Sequence, residues 1–188
     1  MRMRAEKLVF ALLVCVLFAG MAFLVLNAMP KQPVAFFAYG TNLAKSTMNA
    51  RAGGFIDATA AELPGYSLVF ASQDASPAKF GVASMALNDS GSVPGALYYL
   101  TQEQMAALDR QSNVPAFYER KNVKVMMTDG SAVDAQTYFL AGNAHLAAPS
   151  RMYYLAVQGG MREWGYDENS LDAVVEQAAQ ANQAPKAT

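Results

Sequence analysis

The period of the hydrophobic positions changes along the chain. Residues 8–26, LVFALLVCVLFAGMAFLVL, contain no charged side chain. Across residues 34–140 the apolar runs are short and separated by Gly, Pro, Asp and Ser, which is typical of strands. After Pro149 the apolar positions recur at helical spacing as far as Trp164, and a second helical pattern covers 168–181. We therefore expect an apolar segment, a strand-rich domain and two final helices.

Six short strands are predicted in the middle of the chain. The dipeptide Asp129-Gly130 lies between two apolar runs and predicts a hairpin. Val123, Val125 and Met127 alternate with other residues, as in a half-buried strand. The predicted strands cover 34–38, 66–71, 81–87, 93–100, 120–128 and 132–140. Together with about four helices they predict an α+β fold, and we expect a curled or closed sheet with helices at its rim.

The helix before the hairpin has clear end signals. Thr101 and Gln104 match a Thr-x-x-Gln capping box, which predicts the first turn. The helix should end near Gln111, because Asn113 suits a left-handed end position and Pro115 cannot continue a helix. The segment LDRQSNVP is therefore predicted to be a corner between a helix and the next strand.

The apolar run is long enough to cross a membrane. At helical rise, 19 residues span ~29 Å, close to the thickness of a bilayer core. Arg2, Arg4 and Lys7 precede the run and only Lys31 follows closely, so the positive-inside rule places the N-terminus in the cytoplasm. The prediction is a cytoplasmic N-terminus (1–7), a transmembrane helix (8–28), a linker (29–33), a periplasmic or otherwise extracytoplasmic domain (34–180) and a flexible tail (181–188).

A cleaved signal peptide is the competing interpretation of this run. Its apolar region would normally span ~7–15 residues and end in an A-x-A-like site. Here the run is longer, and Leu26-Asn27-Ala28 is a poor cleavage site. We therefore favour an uncleaved single-pass anchor. Its small residues at 19–22, AGMA, would permit close contact with other membrane protein subunits.

Composition and charge exclude several classes of site. The formal net charge is −1 and no basic stripe is present, so nucleic acid is not an expected partner. Cys15 is the only cysteine, which leaves no intrachain disulfide and no cysteine metal site. His145 is the only histidine, which argues against a zinc site of the usual composition. We expect neither a metal nor another cofactor.

The segment FFAYGTNL, residues 36–43, is the first candidate for chemistry. A strand that passes through Gly40 into a helix start gathers backbone N–H groups at one point, where a carboxylate or phosphate could bind. Thr41 or Asn42 is expected to cap the helix, which the pattern places over 43–51. An ordinary strand–helix turn remains the alternative interpretation of these residues.

The same segment carries a resemblance to a known family. AYGTNL resembles the Tyr-Gly-Ser-Asn-Leu signature of the gamma-glutamylcyclotransferase-like family, with Thr41 in place of Ser. Five later segments between 34 and 170 resemble the family in the same order: LPGYSLVF, GVASMAL, VPGALYYLTQEQMAALD, VPAFYERKNVKV and SRMYYLAVQGGMREWGY. The resemblance implies a small mixed β-barrel surrounded by helices.

The resemblance also implies a reaction with two separable halves. In the family, the α-amine of a γ-glutamyl group attacks its own γ-carbonyl and releases 5-oxoproline, so a general base must take a proton from the amine. The signature loop holds the glutamyl end, and a Glu in a Leu-Asp-x-x-Glu-Gly pattern is the base. The substrate- or anion-binding loop here would be Tyr39, Gly40, Thr41, Asn42 and Leu43.

The catalytic half matches less well. Leu108 and Asp109 match the pattern, but Ser112 occupies the Glu position and Asn113 the Gly position. A serine hydroxyl is not a base near neutral pH unless another group activates it. We therefore assign no catalytic residue.

No other residue is an obvious replacement for the missing base. The nearest glutamates in the sequence are Glu103 and Glu119, and Glu119 is expected to be a solvated strand residue. A triad of Ser112, His145 and an Asp has no Gly-x-Ser-x-Gly elbow to support it.

Two functions remain open at this point. The favoured one is a membrane-anchored, catalytically inactive family member that acts as an accessory or binding subunit of a membrane complex. It would retain a site for a small γ-glutamyl-like or anionic ligand. The alternative is an active cyclotransferase that releases 5-oxoproline from a γ-glutamyl amine or peptide with a non-standard base.

Overall fold

The computed structural model describes residues 15–18, 20–21, 32–74, 76 and 79–183. The chain divides into two compact units, Met1–Gln32 and Pro33–Thr188. In the first unit, residues 15–18 and 20–21 are helical. The second unit holds the strand-rich domain that the sequence predicts.

Five strands of the second unit close into a small mixed barrel. The strands are β1 (Val34–Ala38), β2 (Asp57–Ser72), β3 (Val82–Leu100), β4 (Tyr118–Met127) and β5 (Ala132–Leu140). Their order is β3-β1-β5-β4-β2, and β2 pairs again with β3 to complete the ring. β1 and β5 run parallel, and the other neighbours are antiparallel. The predicted α+β fold with a closed sheet is confirmed.

The two longest strands differ from the prediction. The pattern indicated separate strands at 81–87 and 93–100, whereas β3 runs through both. β2 likewise begins at Asp57, well before the predicted strand at 66–71. Pairing shifts between Pro64 and Tyr66, so that Gly65 lies opposite the polar stretch 88–91. This bulge accommodates residues that are typical of strand ends, because a bulge admits extra residues without ending the pairing.

Four helices and a last short strand surround the barrel in the described part of the second unit. The helices are α1 (Lys45–Ala52), α2 (Gln102–Gln111), α3 (Arg151–Glu163) and α4 (Ser170–Gln183). The capping box at Thr101 and Gln104 is present, with both reciprocal hydrogen bonds. Ser150 caps α3 by accepting a hydrogen bond from the Tyr153 N–H. The strand β6 (His145–Leu146) pairs with the end of β2.

The core lies inside the barrel and under α2 and α3. Phe37 of β1 and Tyr98 of β3 are fully buried. Leu108 of α2 and Val157 of α3 are also fully buried and belong to the same cluster. Each of these helices presents a single apolar stripe to the barrel, which explains why the sequence shows their periodicity clearly.

The predicted anchor is mostly outside the described residues. Within the described ranges, no helix combines the length and apolar character needed to cross a membrane. Most of the predicted span 8–28, all of 1–7 and part of the tail 181–188 lie outside those ranges. The anchor, the orientation and the extracytoplasmic location therefore stay predictions.

Candidate functional site

One pocket brings the predicted loop and the LDRQSNVP corner together. It has a volume of about 250 Å³ and lies where the end of β1, the turn after α2, the start of β4 and the helix α3 meet. Six of its fifteen described lining residues are aromatic, and others carry amide or hydroxyl groups. The lining residues are Phe36, Tyr39, Gly40, Thr41, Asn42, Arg51, Val82, Ala83, Gln111, Ser112, Asn113, Phe117, Tyr118, Tyr138 and Tyr153.

Four of the five predicted loop residues line this pocket. Tyr39 is buried, and its hydroxyl donates a 2.6 Å hydrogen bond to the carbonyl of Tyr138. Gly40 lies so close to the neighbouring strand that an added Cβ would stand 3.0 Å from the Ala83 Cβ. Gly40 therefore allows the loop to approach the barrel, which a larger residue would hinder.

Leu43, the fifth residue, packs in the core and does not line the pocket. Its side chain is fully buried. Its carbonyl accepts hydrogen bonds from the Tyr98 hydroxyl and the Trp164 Nε1, both at 2.8 Å. Leu43 thus fixes the position of the loop, and its expected place in the binding wall is corrected to a supporting one.

The predicted cap of the first helix is also corrected. Thr41 and Asn42 begin a short 3₁₀ turn, Thr41–Leu43, and α1 starts only at Lys45 with no side-chain cap. The Oγ1 of Thr41 and the Oδ1 of Asn42 instead accept hydrogen bonds from the Arg51 Nη1, at 3.2 and 2.7 Å. The N-cap position of α1 is Ala44, which lies after the 3₁₀ turn, so neither Thr41 nor Asn42 caps the helix.

Arg51 is the pocket residue that the sequence analysis missed. It lies in the last turn of α1 and lines the pocket with the two side chains that it binds. Within the described part of the chain no carboxylate lies within ion-pairing distance of it. No local pattern marks Arg51, because it meets the loop only where α1 packs beside it. A spacing of nine residues from Asn42 is not a contact distance typical of a helix or a strand.

Ser112 stands in the pocket at the position where the resemblance places a Glu. It follows α2 as the C-terminal cap residue and is 8% exposed. Asn113 has φ 53°, the left-handed conformation that the sequence predicted. Asn is, after Gly, the residue that best tolerates this conformation. The turn therefore has a left-handed residue of the kind that a Gly would also supply, and Ser112 gives it no carboxylate.

A carboxylate does lie behind the pocket wall. Asp109 Oδ1 accepts a 2.8 Å hydrogen bond from the hydroxyl of Tyr138, whose side chain lines the pocket. The other oxygen of Asp109 lies 3.5 Å from the Arg120 Nη2. Asp109 itself does not line the pocket. It is held by two donors and separated from the pocket by the phenol.

The tyrosines of the wall are strongly shielded from water. Burial raises the pKa of the Tyr39 and Tyr118 phenols far above the ordinary value of 10.0. Burial also raises the pKa of Tyr138, and its hydrogen bond to Asp109 raises it further. For Tyr153, burial raises the pKa while the positive charge of Arg51 acts in the opposite direction. These phenols stay neutral at physiological pH. Those of Tyr39 and Tyr138 already donate their hydrogen bonds within the protein, to the Tyr138 carbonyl and to Asp109.

The other candidate groups lie elsewhere. Glu119 does not line the pocket, is exposed and lies 3.6 Å from the Lys121 ammonium. Glu103 is in the first turn of α2, at the opposite end from Ser112. His145 is exposed in β6 and pairs with Ser72, so it does not share the pocket with Ser112. The triad interpretation is therefore not supported by the geometry.

The described lining residues can bind a small anion but include no general base. Arg51 and the amide nitrogen of Asn42 can donate to a carboxylate, and the aromatic faces can cover an apolar stem. Among the described residues no group of three or more His, Cys, Asp or Glu side chains could hold a metal ion.

The amino-acid sequence matches the model of a known protein family. Residues 36–155 match the family model "Gamma-glutamyl cyclotransferase, AIG2-like". No curated protein matches the chain. The chain belongs to the gamma-glutamyl cyclotransferase, AIG2-like family.

Solved structures share the fold of the second unit. A protein named gamma-glutamyl cyclotransferase superposes with a TM-score of 0.66 at 23% identity, over 81% of this chain and 99% of that one. An uncharacterised human protein gives 0.66 at 23% identity, over 82% and 100%. A yeast gamma-glutamyl cyclotransferase specific to glutathione gives 0.54 at 12% identity, over 80% and 99%. At these identities the likeness establishes the fold.

Proposed function

We propose that this protein is a membrane-tethered family member that binds a small anionic, γ-glutamyl-like ligand without turning it over. The observation that carries the proposal is Ser112, which lines the pocket at the position of the expected base. The pocket is otherwise intact, because Tyr39, Gly40, Thr41 and Asn42 all line it. A binding site without its base is suited to an accessory subunit.

The chemistry of the reaction explains why turnover is not expected. The substrate amine is largely protonated at neutral pH, so cyclisation needs a group that accepts its proton. Ser112 cannot do this, and no described carboxylate lines the pocket. Loss of a general base typically slows a reaction by ~10²–10⁴-fold.

The tether is proposed from the sequence of residues 8–28. An uncharged run of this length with Arg2, Arg4 and Lys7 before it favours a single-pass anchor and an extracytoplasmic domain. We propose that the anchor packs beside other membrane protein subunits. Retention of the full-length chain in a larger complex through detergent washing would support this, whereas a freely dispersing monomer would contradict it.

A second candidate is a cyclotransferase with a non-standard base, and the contact between Tyr138 and Asp109 favours it. A substrate ammonium could pass one proton to the Tyr138 oxygen while Tyr138 passes its own proton to Asp109. The amine would then attack the γ-carbonyl. As the C–N bond to the leaving group breaks, the leaving nitrogen would take the second proton of the attacking nitrogen, and the proton held on Asp109 would return through Tyr138 to the departing amine. However, one oxygen of Asp109 already accepts the Tyr138 hydroxyl and the other lies 3.5 Å from the Arg120 Nη2, and Asp109 does not line the pocket.

One assay separates the two candidates. The full-length chain is incubated with γ-glutamyl amines and with glutathione, for which the yeast structural neighbour is specific, and 5-oxoproline is measured. The binding proposal predicts no product above the uncatalysed rate. Product that disappears in Asp109→Asn, with Asp134→Asn as the control for an exposed carboxylate, would establish the second candidate.

A further inference from the structure

Among its described lining residues, the pocket has a positive charge with no negative charge beside it. Arg51 is the only charged side chain among the described lining residues, and it lacks an ion-pair partner in that part of the chain. Burial raises the pKa of Tyr118 and of Tyr153, and the positive charge of Arg51 acts in the opposite direction on both. The Arg51 charge is therefore felt by the tyrosines of the pocket wall. The pocket therefore favours one negative charge.

A positively charged group on the same ligand would have no counter-charge among the described lining residues. Ser112 is neutral where a carboxylate is expected. Asp109 lies behind Tyr138, accepts its hydrogen bond and is paired with Arg120. An ammonium in the pocket would meet hydroxyls, amides and aromatic faces, with Arg51 repelling it.

Because the pocket is shielded from water, the missing negative charge should affect which ligands bind. The phenols of Tyr39, Tyr118 and Tyr153 are buried enough that burial dominates their pKa. Removing an ammonium from water into such a site without a counter-ion is expensive, and attraction to aromatic faces offsets only part of that cost. A carboxylate meets Arg51 and can form charge-assisted hydrogen bonds.

We propose, as a refinement that rests on the proposed binding function, that the pocket selects a small carboxylate whose nitrogen carries no positive charge. Among the proposed γ-glutamyl-like ligands, this class consists of amino acids whose amino group is acylated or cyclised, so a γ-glutamyl compound with a free, protonated α-amine is excluded. The zwitterion of the same amino acid is rejected. Arg51 and Ser112 are the residues that determine this specificity.

Calorimetric titration of the full-length chain in detergent tests the selection with two probes that share a side chain. N-acetyl-L-glutamine is a monoanion, and L-glutamine is its zwitterionic counterpart. We expect the acetylated probe to bind at least ~10-fold more tightly, a difference equivalent to about 1.4 kcal/mol. Equal binding, tighter binding of L-glutamine, or binding of neither probe would overturn the proposal.

Two pairs of variants assign the selection to the residues. Ser112→Glu should reverse the order of the two probes, whereas Ser112→Gln, of the same size but uncharged, should preserve it. Arg51→Met should lose the acetylated probe, and Arg51→Lys should retain part of the affinity. Thermal melts of every variant identify losses caused by unfolding. A folded Arg51→Met that binds the acetylated probe normally would also overturn the proposal.

These results are distinguishable from failure of the proposed function. Release of 5-oxoproline by the natural chain would remove the binding-only proposal, whatever the probe preference. If the chain releases no 5-oxoproline and shows no preference between the two probes, only the proposed ligand class is rejected and the binding function is retained.

Discussion

The hydroxyl of Tyr138 donates a 2.8 Å hydrogen bond to Asp109 across the wall of the pocket. Tyr138 belongs to β5 and Asp109 to α2, so the bond joins the barrel to the helix that precedes Ser112. Arg120 of β4 completes the group. This contact holds the turn after α2 against the barrel and keeps the Asp109 carboxylate outside the pocket.

Removing this hydroxyl should destabilise the fold. In Tyr138→Phe, Asp109 loses a neutral donor in a partly buried site, and hydrogen bonds to charged groups contribute ~1.5–3 kcal/mol. We expect the free energy of unfolding in urea to fall by that amount. Tyr154→Phe is the matched control, because its hydroxyl binds the exposed Asp172 at 2.6 Å. If Tyr154→Phe lowers the free energy of unfolding as much as Tyr138→Phe does, the contact with Asp109 stabilises the fold no more than an exposed hydrogen bond.

The left-handed residue after Ser112 should tolerate glycine but not alanine. Asn113 has φ 53°, a conformation that costs most L-residues ~1–2 kcal/mol. Asn113→Ala should therefore lower the free energy of unfolding by ~1 kcal/mol, whereas Asn113→Gly should leave it nearly unchanged. Urea denaturation of the two variants measures the difference. Equal stabilities would mean that the turn relaxes to another conformation.

The sequence predicted the parts of this molecule that depend on local signals. The signals at Thr101 and Gln104, at Asn113, and at Asp129 with Gly130 each act on residues within four positions, and the predicted turns and caps formed there. The continuity of β2 through Pro64 and Gly65, and of β3 through residues 88–92, was not predicted, because each strand stays paired with the other across the irregularity. That compensation is invisible without the partner.

The pocket was predictable only in part for the same reason. The loop 39–42 and Ser112 came from the family motifs, and both line the pocket. Arg51 lies in the last turn of α1 and reaches the loop only in the folded chain. Leu43 belongs to the motif but supports the loop from the core. A motif identifies which residues belong together, whereas packing decides which of them face a ligand.

Stability should decline in alkaline solution. Burial raises the pKa of the phenols of Tyr39, Tyr118 and Tyr138 above the ordinary value of 10.0. Above that pH the unfolded chain loses these protons before the folded chain does. The stabilisation is therefore complete below the ordinary pKa and is lost as pH rises beyond it, by ~1.4 kcal/mol per pH unit for each such phenol.

Ultraviolet absorbance of phenolate and near-ultraviolet circular dichroism follow this process together. We expect part of the phenolate signal to appear only in a cooperative step that coincides with loss of the dichroism. Tyr138→Phe should make the decline of stability with pH less steep. Ionisation of every tyrosine at its ordinary pKa while the dichroism stays native would contradict the buried wall.

The measurement that tests the account most directly is 5-oxoproline release by Ser112→Glu and by the natural chain, on γ-glutamyl amines at neutral pH. Ser112→Gln controls for the size of the new side chain. If the pocket is intact and lacks only its base, Ser112→Glu should exceed the other two proteins by ~10²–10⁴-fold. Release by the natural chain at the rate of Ser112→Glu would contradict the account, because Ser112 would then mark no loss of catalysis.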